Sequence, residues 1–146
     1  MNKEEIISIL KSYFNDKARI YGIDMAFLYG SWAGGFPKIE SDIDIAVVFN
    51  RDMDGDKIFK IITDISLELV DILKKETNVL YIDFDLSKPM LHYNAIVQGI
   101  PVFIRDFKSY VDIRFKAITQ MEDFSIFGLR WQEEIARKRL EALSRA

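Results

Sequence analysis

The stretch that decides the fold reads GSWAGGFPKIESDID and runs from Gly30 to Asp44. It joins two apolar runs, 25–29 and 45–49, and the turn-forming residues between them indicate that both runs are strands. Asp42 and Asp44 lie two positions apart at the entry to the second run. Because alternate residues of a strand point to the same face, the sequence predicts that these two carboxylates lie side by side.

This pair of carboxylates favours a divalent cation. Like charges at this spacing repel each other, and partial burial adds a loss of solvation to each. Oxygen ligands suit a hard ion such as Mg²⁺, which takes one or two protein carboxylates and completes its shell with water and phosphate oxygens. Gly30 and Ser31, at the neighbouring strand end, allow close backbone approach and supply a hydroxyl at the start of a short helical turn. The sequence therefore predicts a metal and phosphate site at this boundary.

The spacing of the two halves carries a family resemblance. A Gly-Ser pair, ten residues and then Asp-x-Asp between two strands resembles the polymerase-β-like nucleotidyltransferases, and among them the minimal nucleotidyltransferases that include the MntA antitoxins of HEPN/MNT pairs. The resemblance implies an α+β fold, with a small mixed sheet packed against helices and further helices at the C-terminus. Gly30, Ser31 and Ser41 are the expected nucleotide-binding residues. Gly34 stands where that family commonly has arginine, and Lys38 is a cation of the motif that could replace it.

The resemblance also implies a third carboxylate from a later strand, which binds metal and accepts the proton of the attacking hydroxyl. The segment 79–86 alternates as a strand does and has Asp83 and Asp85 on one face. Asp83 is assigned this role because it precedes the exit 86–89, and Asp85 is the alternative. A further interpretation leaves both as edge-strand charges that face water. Asp42, Asp44 and Asp83 are thus the expected catalytic and metal-binding residues.

Composition limits the class of protein. The chain has 146 residues, of which 49% are hydrophobic and 29% charged, and this predicts one folded domain over 1–146. The net charge of −3 argues against an extended nucleic-acid surface. No apolar run approaches the ~20 residues of a membrane helix, and residues 1–5 do not resemble a secretory signal. We therefore expect a cytoplasmic protein without membrane contact.

The remaining periodicity predicts helices around the strands. Asn2, with Glu5 three residues later, predicts a capped helix start, and Gly22 predicts the end of this first helix near Tyr21. A second helix is expected to cover 57–76, and a third to cover 89–98 before a short strand at 101–104. From Asp106 onward the pattern is helical, in two pieces interrupted near 123–128. His92, the only histidine, is expected at the surface or its boundary.

The resemblance implies a reaction in which ATP and an acceptor hydroxyl give an adenylylated acceptor and pyrophosphate, with Mg²⁺ or Mn²⁺ as cofactor. Since the catalytic core takes up almost the whole chain, the acceptor is expected to be another protein. For the MNT antitoxins this is a tyrosine of a cognate HEPN ribonuclease toxin, held in a hetero-oligomer. Two alternatives remain open: a nucleotidyltransferase that acts alone on a small molecule or RNA, and a non-catalytic antitoxin that acts by binding.

Overall fold

The computed structural model describes residues 1–34 and 41–144 and contains a four-stranded mixed sheet in the order β3-β2-β1-β4. The strands are β1 (Ile23–Tyr29), β2 (Ile43–Phe49), β3 (Thr77–Tyr81) and β4 (Ile100–Ile104). β1 runs antiparallel to both β2 and β4, whereas β2 and β3 are parallel. This arrangement confirms the predicted α+β fold with a small mixed sheet.

The α-helices that the described residues form around the sheet are α1 (Lys3–Tyr21), α2 (Gly55–Leu73), α3 (Pro89–Ile96) and α4 (Phe107–Ser144). α1 begins where the side chain of Asn2 accepts a hydrogen bond from the backbone N–H of Glu5, and it ends at Gly22, whose φ of 69° is left-handed. α2 is capped in the same way by Asp54. α1 therefore ends where the sequence predicts, whereas α2 starts two residues before and ends three residues before the predicted bounds 57–76.

The sheet separates two apolar clusters because successive strand residues point to opposite faces. On one face, α1 and α2 pack against strand residues that include Leu28, Ile43 and Ile45. On the other face, α3 and the first half of α4 pack against Phe27, Ala46 and others. Asp44 alternates with Ile43 and Ile45, so it belongs to the face that α3 and α4 cover further along the sheet.

Two elements differ from the sequence prediction. β3 ends at Tyr81 instead of continuing to 86, because the chain turns after it: the N–H of Leu86 donates to the carbonyl of Asp83 at 3.1 Å, and Leu86 has a φ of 48°. α4 is one continuous helix of 38 residues instead of two pieces. Gly128 alone costs a helix only about 1 kcal/mol, and α4 contains no proline that would interrupt it.

None of the helices formed by the described residues combines the length and the apolar character that crossing a membrane requires.

Candidate active site

Three polar side chains come together at the amino end of β2. In the sheet register Tyr29 of β1 pairs with Asp44 of β2, and Asp44 pairs with Asn78 of β3. The amide nitrogen of Asn78 lies 3.4 Å from Oδ2 of Asp42 and 3.4 Å from Oδ1 of Asp44. The structure therefore brings Asp42 and Asp44 together, as the Asp-x-Asp spacing predicts, and adds Asn78 as a shared neighbour.

Gly30 joins this group through close packing. Its φ is +74°, and a Cβ built on it would lie 2.5 Å from Oδ2 of Asp44. Only a glycine is compatible with both the left-handed backbone and this contact. Ser31 follows directly, is exposed, and belongs to the 3₁₀ turn Gly30–Trp32, which is the short helical turn that the sequence predicts. The Gly-Ser corner and the two carboxylates are thus adjacent in the structure.

Trp32 connects the Gly-Ser corner to the residues just before β2. Its side chain is buried, and its indole N–H donates to the carbonyl of Ser41 at 3.1 Å. Lys75 lies over the ring, with Nζ 5.5 Å from the centroid, and Lys3 donates to the carbonyl of Ala33 at 3.1 Å. Trp32 therefore has a structural role, because it links the Gly-Ser corner to the residue before β2. The nucleotide-binding role of Ser41 stays a prediction, and Lys38 lies outside the described residues.

The electrostatics of the corner favour a cation. Burial, the largest effect, raises the pKa of the Asp44 carboxyl; the Asn78 hydrogen bond lowers it and the charge of Asp42 raises it, and the net shift is upward. Burial and the Asp44 charge raise the pKa of Tyr29 to about 12, so that hydroxyl stays protonated. Two carboxylates held side by side supply oxygen ligands of the kind that a hard divalent ion accepts.

The expectation that Asp83 completes this group is wrong, and so is the alternative Asp85. Asp83 follows Tyr81, which pairs with Val47, so it lies about five residues along the sheet from Asp44, on the order of 15 Å. Asp83 and Asp85 line a small cavity together with Arg51, from the loop after β2. They are at the carboxyl end of β2, whereas Asp42 and Asp44 are at its amino end.

Asp83 instead holds the turn after β3. Its carboxylate accepts from the backbone N–H of Ser87 at 3.1 Å, and Nε2 of His92 lies 3.3 Å from its Oδ1. His92 is buried, contrary to the expectation of a surface position, because positions 92, 95 and 96 form the face of α3 that packs on the sheet. Burial lowers the pKa of His92, so the ring is neutral at pH 7.

Among residues 1–34 and 41–144, the side chains of His, Cys, Asp and Glu form no group of three or more that could hold a metal ion. The third position beside Asp42 and Asp44 is taken by Asn78, which the sequence prediction missed. Asn78 directly precedes the segment 79–86, and the prediction considered only the acidic residues of that segment.

The fold and the site together define the class of protein. The family described as polymerase beta, nucleotidyltransferase, matches residues 4–108, which is well over half of the 146 residues. The chain therefore belongs to this family and is a nucleotidyltransferase. Among curated proteins, none matches the chain.

Solved structures with the same fold come from toxin–antitoxin assemblies. A toxin–antitoxin crystallised with AMP-PNP is 16% identical, with a TM-score of 0.66 over 86% of this chain and 98% of that one. The Shewanella oneidensis assembly of a tri-AMPylated HEPN toxin with its MNT antitoxin is 14% identical, with a TM-score of 0.63 over 89% and 98%. A toxin–antitoxin MntA-HepT is also 14% identical, with a TM-score of 0.62 over 88% and 98%. These likenesses establish the fold.

Proposed function

We propose that this nucleotidyltransferase is an antitoxin that transfers AMP from ATP to a tyrosine of a cognate HEPN ribonuclease toxin. The observation that carries the proposal is the close approach of Gly30 to Asp44, where a Cβ built on Gly30 would lie 2.5 Å from Oδ2, because the predicted phosphate-binding corner is then adjacent to the predicted metal-binding pair. The relatives solved with AMP-PNP and with a tri-AMPylated HEPN toxin support the choice of donor and acceptor. The proposed site of action is the cytoplasm.

The proposed reaction is a nucleotidyl transfer. The tyrosine oxygen forms a bond to the α-phosphorus of ATP, the bond from that phosphorus to the bridging oxygen breaks, and pyrophosphate leaves with the electron pair. The tyrosine proton is released to solvent. Asp42 and Asp44, with the amide oxygen of Asn78, would hold Mg²⁺ or Mn²⁺, which offsets the negative charge of the phosphates. The Ser31 hydroxyl and the Gly30 backbone are the groups that would orient the triphosphate.

The far part of α4 supports association with a partner protein. Within α4 as described, Ala117 is the one buried residue, and the turns beyond it carry large apolar side chains that are about half to three-quarters exposed. These side chains are Phe124, Ile126, Phe127, Leu129, Trp131, Leu140 and Leu143. Exposed apolar side chains concentrated on one element are typical of protein interfaces. We assign them to the toxin in a hetero-oligomer.

The test is transfer of label from [α-³²P]ATP with Mg²⁺ to a candidate HEPN toxin. We expect labelled tyrosine with the wild-type chain and a loss of roughly 100-fold or more with Asp44→Asn. Asp71→Asn is the matched control, because its side chain is 84% exposed on α2, and it should keep full activity. Label that enters RNA or a small molecule instead, or no label at all, would refute the proposal.

A second candidate is neutralisation of the toxin by contact alone. It is favoured by two departures from the family pattern, Asn78 in the place of an acid and Gly34 in the place of an arginine. The double variant Asp42→Ala/Asp44→Ala separates the two functions in cells that express the toxin. Contact alone predicts full protection by this variant, whereas transfer predicts that protection is lost. Trp131→Ser, on the exposed part of α4, should weaken protection in both cases.

A further inference from the structure

Asn78 occupies the position from which a third side chain reaches both carboxylates. It is in register with Asp44, and its amide is equally distant, 3.4 Å, from oxygens of Asp42 and Asp44. We propose that Asn78 is the third member of the metal centre and that, as an uncharged ligand, it limits the centre to one divalent ion bound together with the nucleotide. This inference rests on the proposed nucleotidyl transfer.

The charge that the protein itself supplies to the site favours a single ion. Two carboxylates carry two negative charges, which one divalent ion neutralises. A second ion in a two-metal centre lies only about 3.5–4 Å from the first, and the repulsion between two divalent ions is four times that between unit charges. A third carboxylate would offset part of that repulsion, but Asn78 adds none. Among the described residues, no third acid joins Asp42 and Asp44 in a group that could hold a metal ion, and Asp83 and Asp85 lie at the other end of β2.

The chemistry of the amide explains how Asn78 serves in both states of the site. Without a cation, the NH₂ group donates to the two carboxylates and holds them together despite their repulsion. If the two carboxylates held a cation, rotation about the Cβ–Cγ bond would present the carbonyl oxygen, which is a neutral ligand for a hard ion. A neutral amide does not accept the proton of an attacking hydroxyl, so the centre retains the nucleotide but transfers it slowly.

The experiment counts Mn²⁺ ions bound to the full chain by electron paramagnetic resonance, in the presence of an ATP analogue that is not cleaved at the α-phosphate. We expect one ion per wild-type chain and two per Asn78→Asp chain, with transfer at least about 10-fold faster in this variant. Asn94→Asp adds the same charge at an exposed position of α3 and should stay at one ion. Circular dichroism establishes that the variants are folded.

The outcomes separate this inference from the proposed function. Two ions on the wild-type chain would overturn the inference and leave nucleotidyl transfer intact, and so would a folded Asn78→Asp variant that still binds one. No ion on the wild-type chain, with or without nucleotide, would remove the metal centre and therefore both proposals. Asn78→Ala adds a readout without new charge, since it should weaken Mn²⁺ binding about 10-fold or more.

Discussion

The two ends of the β2–β3 pair use aspartates in opposite ways. At the amino end, Asp42 and Asp44 share one neutral neighbour, Asn78, at 3.4 Å. At the carboxyl end, Asp83 has a backbone N–H and the buried His92 as partners. A carboxylate whose oxygens are already paired within the fold has a structural role, whereas the two carboxylates that lie side by side form the proposed cation site. Position in the sheet, and not residue type, distinguishes the two.

The largest effect should come from substituting one aspartate at each end. Asp44→Asn removes a charge from the cation site and should reduce Mn²⁺ affinity and AMP transfer by roughly 100-fold or more. Asp83→Asn should leave both within about twofold of the wild type, after correction for any unfolded fraction. Transfer assays and Mn²⁺ titrations measure both. An equal loss with Asp83→Asn would show that the two ends are not distinct.

The next effect concerns stability at the carboxyl end. His92→Ala leaves a cavity under α3 and removes the partner of Asp83, and we expect a loss of about 2–4 kcal/mol in the free energy of unfolding. Urea denaturation measures it. Asn94→Ala, two residues away and exposed, should change stability by less than ~0.5 kcal/mol. A loss of less than about 1 kcal/mol with His92→Ala would mean that this pair does not hold the turn.

A smaller effect is expected at the glycine corner. Gly30→Ala places a side chain at a positive φ and against Asp44, which should cost about 1–2 kcal/mol and also lower Mn²⁺ affinity. Gly34→Ala is the matched control, because the atom nearest to its Cβ would be the carbonyl oxygen of Gly30, at an ordinary contact distance of 3.7 Å. Thermal unfolding and Mn²⁺ titration together test the contact. Unchanged metal binding in a folded Gly30→Ala chain would contradict the placement of Asp44.

The smallest expected effects are on the pH dependence of stability, and they differ between the two ends. His92 has a lowered pKa in the folded chain, so the unfolded chain binds a proton first as the pH falls below about 6.5. Its contribution to stability is therefore present above about pH 6.5 and lost below it. His92→Gln should flatten this part of the profile in urea titrations at about pH 5 to 7. An unchanged slope would contradict a neutral buried ring.

At the amino end the corresponding group is Tyr29, whose pKa is raised to about 12. Between about pH 10 and 12 the unfolded chain loses the tyrosine proton while the folded chain keeps it, so stability falls as the pH rises through this range. Tyr29→Phe should reduce that fall. Part of the fall in stability should remain in this variant, because the pKa of Tyr21 is also raised to about 12. If the stability of Tyr29→Phe fell more steeply with pH than that of the wild type, the pKa of Tyr29 would not be raised on folding.

The sequence by itself determined the features that depend on neighbours in the chain. The caps at Asn2 and Gly22, the strand 43–49, and the side-by-side placement of Asp42 and Asp44 all follow from local hydrogen bonds and from the two-residue period of a strand. The Gly-Ser corner was predicted for the same reason. In each case the interacting residues are only a few positions apart in the sequence, so the covalent chain already keeps them close together.

Only the tertiary structure decided which residue of the third strand faces the carboxylate pair. Asn78 lies just before the segment 79–86 that contains Asp83, and nothing in the sequence states which residue of this region pairs with Asp44. The pairing of Asp44 with Asn78 is set by packing between strands that are well separated in the chain, with α2 between them. The burial of His92 was not predictable for the same reason, because its partner Asp83 lies on another segment, the turn after β3.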